Sequence, residues 1–362
     1  MKILLAAPAG QRVRGIISSY CKEELESLGL EVSLFNFEQH PYAKNRLISS
    51  LKSIIRAFLP SLPSPYDISP AVKSSTDNRI NEMLIEAVSE YKPDLLLVLL
   101  GENIQPQTIE RINQAGVITV NWVFDTLLFP YRRDYLRNIS YVYDYIFIID
   151  SLDILKFIDI KAKHIESLPL GCFPRVHRRI DLSEEEFRKF GSDVAFVGTL
   201  SPERQKILEA LRDFDLKIWG HWGQKSPLLG KNYQEQNVYG EGAVKIYNAS
   251  KIIIDIHNLY GVEKEIFNVT PRVFEVPACA GFLLTNNVVQ LNEFYKVGEE
   301  IIAYKNIEEL KSLIKYYLQH EQERKEVTQR AYQRAHQEHT YAKRLKRLLN
   351  IINDPKKEIN LT

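Results

Sequence analysis

Six consecutive apolar residues, Leu95 to Leu100, lie between a segment of helical periodicity and a polar turn, and the same arrangement recurs along most of the chain. A run of this length makes a strand, since crossing a bilayer takes about 20 residues. Strands read as unbroken apolar runs when helices cover both faces of a parallel sheet, so the alternation predicts an α/β fold. In the first half, strands are predicted near Lys2 to Ala7, Glu31 to Phe37, Asp94 to Gly101, Val117 to Trp122, Tyr145 to Asp150 and His164 to Leu168. Between two of them Ile80, Met83, Leu84, Ala87, Val88 and Tyr91 recur at helical spacing, which makes a crossover helix and a βαβ unit.

The stretch LPLGCFPRVHRR from Leu168 gathers Pro169, Gly171 and Pro174 and breaks both periodicities, so a hinge is expected near Gly171. A second series of strands follows at Asp193 to Val197, Leu216 to Trp219, Asn237 to Tyr239, Ile252 to Ile256, Gly281 to Leu284 and Glu300 to Tyr304. From Asn306 the pattern is helical nearly to Asn350, with a break before Tyr341. The expected division is 1–172, 173–340 and a terminal helix and tail over 341–362: two Rossmann-like domains in series, facing across a cleft. Ligands of such sheets bind beyond the carboxyl ends of the strands, so the loops there hold the candidate residues.

Composition narrows the functional classes. With 47 Lys and Arg against 46 Asp and Glu, the net charge of +1 gives no global attraction for nucleic acid. Cys21, Cys172 and Cys279 are odd in number and form no CxxC pair, which points away from a disulfide framework and toward a reducing, cytoplasmic setting. The apolar start, Ile3 to Ala9, is followed at once by Gly10, Arg12 and Arg14 and reads as a buried first strand rather than a leader. Ala43 to Leu59 sets Leu47, Ile48, Leu51, Ile54, Ile55, Phe58 and Leu59 on one helical face with Lys44, Arg46, Lys52 and Arg56 elsewhere. Packing on its own sheet is one reading, and a peripheral contact with an anionic inner membrane face or a lipid-linked molecule is the other.

The second series opens with DVAFVGTLSPERQKILEAL, where Gly198-Thr199 forms the turn and Pro202 sits at the first helical position. Backbone N–H groups at a helix start, with Arg204 adding charge, suit a phosphate. The densest cluster of polar residues lies in KIIIDIHNLYGVEKEIFNVTPRVFEVPACAGFLLTN. There Asp255, His257 and Asn258 end a buried strand, while Asn268, Arg272 and Glu275 stand ahead of a short helix closing at Ala280-Gly281. Arg272 and Glu275, three apart, either pair with each other or separately hold a diphosphate and a ribose diol. A guanidinium donates bidentately to a diphosphate, and a carboxylate accepts from two adjacent hydroxyls. Asp213-Phe214-Asp215 has metal-binding DxD spacing, but it lies at the amino end of a strand and reads as a turn. His336 and His339 lack zinc-site spacing. On the other side, Gly10 in APAGQRVRG gives a close backbone approach, and Glu102 and Asp125 each follow a strand as a possible general base or a helix cap, with Asp125 preferred as the base.

The ordered set VGTLSPERQKIL, IWGHWG, VYGEGAVKIYNASKIIIDIHN, NVTPRVFEVPACAGFLLTN and EHTYAKRLKRLL resembles the carboxyl-terminal domain of CgeB-type, spore-maturation-like glycosyltransferases of GT-B fold. The similarity spans roughly residues 190 to 350, and GENIQ and NWVFD extend it more loosely into the first half. The resemblance implies a metal-independent transferase with no cofactor, taking a sugar from a nucleotide-sugar donor to an unidentified glycan, lipid-linked or protein acceptor hydroxyl. It implies that Glu275 binds the ribose and that Arg272 and Arg204 face the diphosphate, with Gly198, Thr199, Tyr239 and Asn258 around the donor. Asn268 and His257 then lie near the sugar or diphosphate, His257 together with Asp125 in a catalytic role, while Gly10 and Glu102 face the acceptor. The nucleobase slot falls to Val238, Tyr239 and Gly240 or to the stretch Trp219 to Trp222. Related retaining enzymes carry two glutamates eight positions apart; here Phe267 stands eight before Glu275, with Glu263 and Glu265 out of register. The rival expectations are an epimerase or hydrolase of the same fold and a catalytically silent nucleotide-binding scaffold.

Overall fold

The computed structural model describes residues 1–10, 13–37, 70–127, 130–150, 160–221, 225–234, 238–257 and 268–354, without the side chains of 70–76 and 130. The amphipathic segment 43–59, Asn258, Phe267, Glu263, Glu265 and Trp222 lie outside the described residues. The chain divides into two compact units, one of Met1–Asp125, Pro130–Phe147 and Ile158–Glu166, the other of Thr126–Phe129, Ile148–Phe157 and Ser167–Thr362.

In chain order the first unit's elements are β1 (Lys2–Ala7), α1 (Val13–Ser27), β2 (Glu31–Asn36), α2 (Pro70–Tyr91), β3 (Leu95–Leu99), α3 (Pro106–Gln114), β4 (Ile118–Val123) and α4 (Pro130–Ile139). The strands β5 (Tyr145–Ile148) and β6 (Ile165–Ser167) complete a six-stranded sheet ordered β2-β1-β3-β4-β5-β6. The pairings β1·β2, β1·β3 and β3·β4 are parallel. Every residue of β3 is buried, and so is every residue of β1 after Lys2, which is why both appear in the sequence as continuous apolar runs. Ile80, Leu84 and Val88 turn one face of α2 into the core, as their spacing predicts. Because the chain goes from β1 outward to β2 and then returns to the other side at β3, the strand order reverses between β1 and β3. In an open parallel sheet that reversal leaves a crevice at the carboxyl ends.

The second unit contains α5 (Glu184–Phe190), β7 (Val194–Val197), α6 (Pro202–Glu209), β8 (Leu216–Trp219), α7 (Glu241–Ala249), β9 (Ile252–Asp255), α8 (Arg272–Ala278), β10 (Leu283–Asn286), β11 (Ile302–Tyr304), α9 (Ile307–Gln319), α10 (Glu321–Glu338) and α11 (Tyr341–Asn353). Its sheet runs β11-β10-β9-β7-β8, with all neighbouring pairs parallel. Here the order reverses between β7 and β9. The strand expected at 237–239 is not found in this sheet: Val238 and Tyr239 lead without strand structure into Gly240, whose φ of 52° starts α7. The terminal helix breaks before Tyr341, where the Thr340 side chain accepts from Lys343 N, and it breaks a second time at His320.

The backbone at Gly171, near which a hinge is expected, lies against the chain at 339–341. Cys172 N donates to His339 O at 2.8 Å and Tyr341 N donates back to Cys172 O at 2.9 Å. A Cβ at Gly171 would come within 2.7 Å of His339 O, so the backbone packs there because no side chain intervenes. Among the described residues no helix is long and apolar enough to cross a membrane.

Candidate functional site

The reversal point of the second sheet is crossed by two guanidiniums. The strand β7 ends at Val197, Gly198-Thr199 turns the chain, and Ser201 caps α6 by accepting from Arg204 N. Arg204 is only 6% exposed and reaches back across the sheet, its Nε donating to Ile256 O at 2.9 Å and its Nη1 to Thr199 O at 2.6 Å. Arg272, the first residue of α8, does the same from the other side, with Nη1 donating to Val197 O at 3.0 Å and Nε to Asp255 Oδ1 at 2.7 Å. Each arginine therefore ties the end of β7 to the end of β9, and both stack near the Phe196 ring.

Asp255 is fully buried and carries the charge that balances Arg272. Thr270 Oγ1 donates to its Oδ2 at 2.5 Å, and His257 Nε2 stands 3.4 Å from the same oxygen. Burial pushes this carboxyl up, but Arg272, His257 and the Thr270 hydroxyl outweigh it and hold the group well below the usual carboxylate range. Arg272 and Glu275, predicted as possible partners, are not paired; the guanidinium faces Asp255 instead. Both residues lie inside α8 rather than ahead of it.

Glu275 sits one turn along, its side chain 21% exposed, with Oε1 3.9 Å from His177 Nε2. Burial, opposed by the Arg272 charge, pushes its carboxyl up to about 7. His177 accepts from Phe173 N at Nδ1, which leaves Nε2 to carry the proton toward Glu275. Burial, with His336 nearby, lowers His177 to about 3, so the ring is neutral.

His257, expected in a catalytic role, is buried at the end of β9. It is 3% exposed; Nδ1 faces the Asn268 carbonyl at 3.2 Å, Nε2 faces Thr285 Oγ1 at 2.9 Å, and its backbone N donates to Asn286 Oδ1 at 2.7 Å. Both ring nitrogens face protein groups, and these contacts join β9, β10 and the chain entering α8. Asn268 is half-buried and takes part through its carbonyl. Gly198 is open toward the guanidinium: a Cβ there would stand 3.0 Å from Arg272 Nη1. Thr199 is exposed and Tyr239 half-buried, whereas Trp219 is 1% exposed against the Phe190 ring and belongs to the core, not to a base slot. Asp213 and Asp215 lie in the turn before β8, Asp213 82% exposed, as their position predicted.

In the first unit Gly10 follows β1 in an exposed turn at φ 134°. Glu102 and Asp125, expected only as separate carboxylates, are brought together by a residue the sequence reading missed. Arg132 reaches Glu102 Oε1 with Nη1 at 2.5 Å and Asp125 Oδ2 with Nη2 at 2.8 Å. Arg14 reaches the same two residues, at 3.6 Å and 3.1 Å. The signal for Arg132 lies in spacing: Arg132, Leu136 and Ile139 fall on one helical stripe, and all three are buried. Thr270 and His177 carry no comparable mark, since one acts from a loop and the other from a turn.

Comparison with known proteins bears on this geometry. Residues 204–350 match the family described as glycosyl transferase-like. The chain is 21% identical over 262 residues to spore protein CgeB of Bacillus subtilis, covering 68% of this chain and 77% of that protein. Among solved structures it is similar to a glycosyltransferase from Rickettsia africae, at a TM-score of 0.64 and 14% identity over 99% of each chain. It is also similar to Anabaena HepE, solved with UDP and glucose, at 0.63 and 12% identity over 98% of this chain and all of that one. Residues 204–350 of the second unit are thus similar to the glycosyl transferase-like family, in a chain of GT-B fold that is similar to CgeB.

Proposed function

We propose that this protein is a glycosyltransferase whose second unit holds a nucleoside-diphosphate sugar at the reversal point between β7 and β9. The observation that carries the reading is the pair of guanidiniums, Arg204 and Arg272, spanning that point, Arg204 holding backbone carbonyls and Arg272 the buried carboxylate of Asp255. Two guanidiniums where strand ends and a helix start converge suit a diphosphate. Gly198 keeps the approach to Arg272 open, and Thr199 and Asn268 flank it. Glu275, one turn into α8, accepts from the ribose diol, and Tyr239 borders the base; Asn258 and Gly10 keep the roles the resemblance implies for donor and acceptor. Catalysis is electrostatic: the guanidiniums stabilise charge building on the leaving diphosphate while an acceptor hydroxyl attacks the anomeric carbon. The HepE structure with UDP and glucose supports this reading by analogy of fold.

The test is a thermal-shift panel of UDP, GDP, ADP and dTDP and their sugars against the full chain, followed by titration of Glu275→Gln. One base class is expected to raise the unfolding midpoint, because a ligand at 100 times its Kd stabilises by about 2.7 kcal/mol. Glu275→Gln is expected to weaken that ligand roughly tenfold or more, as loss of a charged hydrogen-bond acceptor does. Absence of binding by every nucleoside diphosphate refutes the reading, and donor consumption without acceptor marks a hydrolase or epimerase instead.

A further inference from the structure

The first unit has its own reversal point, between β1 and β3, and its charges are arranged differently. Arg14 lies on α1 just after β1, Glu102 follows β3, Asp125 follows β4, and Arg132 comes in from α4. The four side chains form a closed ring, each guanidinium touching both carboxylates. Exposure is graded across it. The Arg132 side chain is at 0%, those of Glu102 and Asp125 at 31% and 36%, and that of Arg14 at 44%. One guanidinium is therefore underneath, and the other shares the mouth with the carboxylates.

We propose that this ring is the seat of a neutral, hydroxyl-rich acceptor, with Arg132 the positioning residue that presents Glu102 and Asp125 to sugar hydroxyls. This rests on the transferase reading and names the acceptor class for it. Three observations carry it. Arg132 occupies a helical stripe otherwise filled by Leu136 and Ile139, where an apolar residue would serve packing alone. Burying a guanidinium costs several kcal/mol unless its partners offset it, and neither the Arg132 Nε nor its Nη1, which meets Glu102 Oε1 as an ion pair only, has a hydrogen-bond partner among the described residues. An arginine kept at that cost acts through what it holds. Second, Nη2 donates to Asp125 Oδ2 while Nη1 pairs with Glu102 Oε1, which removes rotamer freedom from both carboxylates before any ligand arrives. Third, two guanidiniums match two carboxylates, so the ring is neutral and its exposed rim includes acceptor oxygens. Carboxylates only accept, hydroxyls donate into them, and a phosphate brought to a neutral rim gains no net attraction from it. The ring thus favours a neutral glycan over an anionic acceptor.

The experiment is saturation-transfer NMR on the full chain with maltose, cellobiose and N-acetyllactosamine as neutral probes and glucose 6-phosphate as the anionic one, with UDP titrated in parallel. At least one neutral disaccharide is expected to bind, and glucose 6-phosphate to bind more weakly. Glu102→Gln and Arg132→Lys are each expected to weaken the disaccharide about tenfold or more while leaving UDP affinity within about twofold. The second variant keeps the charge but loses the two-carboxylate grip; a merely structural role would shift the unfolding midpoint without separating saccharide from UDP. No neutral saccharide binding in a chain that binds UDP, tighter binding of the phosphorylated sugar, or indifference to Glu102→Gln overturns the proposal. Saccharide binding that follows the variants in a chain that fails to bind UDP refutes the donor reading and leaves this site standing.

Discussion

Arg272 cannot be removed without stranding Asp255, a carboxylate with no exposure. Breaking one side of a buried pair costs about 3–5 kcal/mol, so Arg272→Ala is expected to lose stability on that scale rather than only ligand affinity. Asp255→Asn combined with Arg272→Gln should cost less than the sum of the single changes, and a urea-unfolding double-mutant cycle measures the difference. Strict additivity would show that the pair is not coupled. Glu275 gives a second, pH-dependent expectation. Its carboxyl is pushed up by burial to about 7 from an ordinary 4.5, so the native state holds the proton more tightly than the unfolded chain. Its contribution to stability is complete below 4.5 and is lost as pH rises through 7, and Glu275→Gln should flatten that slope. The carboxylate form is the one that accepts from both ribose hydroxyls, so UDP affinity should rise between about pH 6 and 8 in the parent and stay level in Glu275→Gln. His177 has the opposite sign: lowered to about 3 by burial and His336, its contribution is present above 6.5 and is lost as pH falls toward 3. Unfolding midpoints measured across the two windows in Glu275→Gln and in the parent separate the two groups.

The elements that hold these residues meet through their backbones. Gly220 follows β8 at φ 118°, and a Cβ there would stand 2.4 Å from Gly198 O, so the turns after β7 and β8 lie in contact because one has no side chain. Gly220→Ala must both strain the backbone and push the Gly198 turn aside. A loss of about 1–3 kcal/mol is expected, with weakened UDP binding, and denaturant unfolding alongside titration checks both. Unchanged UDP affinity would mean that the Gly198 turn does not face the ligand. At this scale the sequence was most legible where burial is two-sided. Leu95 to Leu99 and Ile252 to Asp255 are covered on both faces and keep an unbroken apolar signature. Val238 and Tyr239 imitate that signature over two residues, yet the positive φ at Gly240 turns them into the approach to α7. Spacing brought Arg272 and Glu275 together as helical neighbours, but local periodicity carries no information about Asp255, seventeen positions away, which supplies the actual partner. The partners of His257 are hidden for the same reason, since the neighbouring strand contributes Thr285 and Asn286.

Over the whole chain, the two units repeat one device with different charge. Each winds a parallel sheet about a reversal point, and each sends a nearly inaccessible arginine to it, Arg204 in the second unit and Arg132 in the first. What differs is what answers them. At β7 and β9 Arg272 pairs with the buried Asp255 while Arg204 donates to backbone carbonyls, whereas at β1 and β3 both guanidiniums pair with Glu102 and Asp125. A positive excess attracts an anion through a field that mobile ions screen, while a neutral ring recognises hydroxyls through short contacts that salt leaves alone. Raising NaCl from about 50 to 500 mM, which shortens the Debye length from roughly 14 to 4 Å, should weaken UDP binding several-fold and leave disaccharide binding within about twofold. Hydrogen exchange locates the same division: UDP should protect amides around 197–204, 255–257 and 268–278, and a disaccharide those around 100–104 and 123–127. Equal salt sensitivity for the two probes would mean that a single charged surface binds both, and the difference in how the arginines are paired would then have no bearing on which ligand each unit takes.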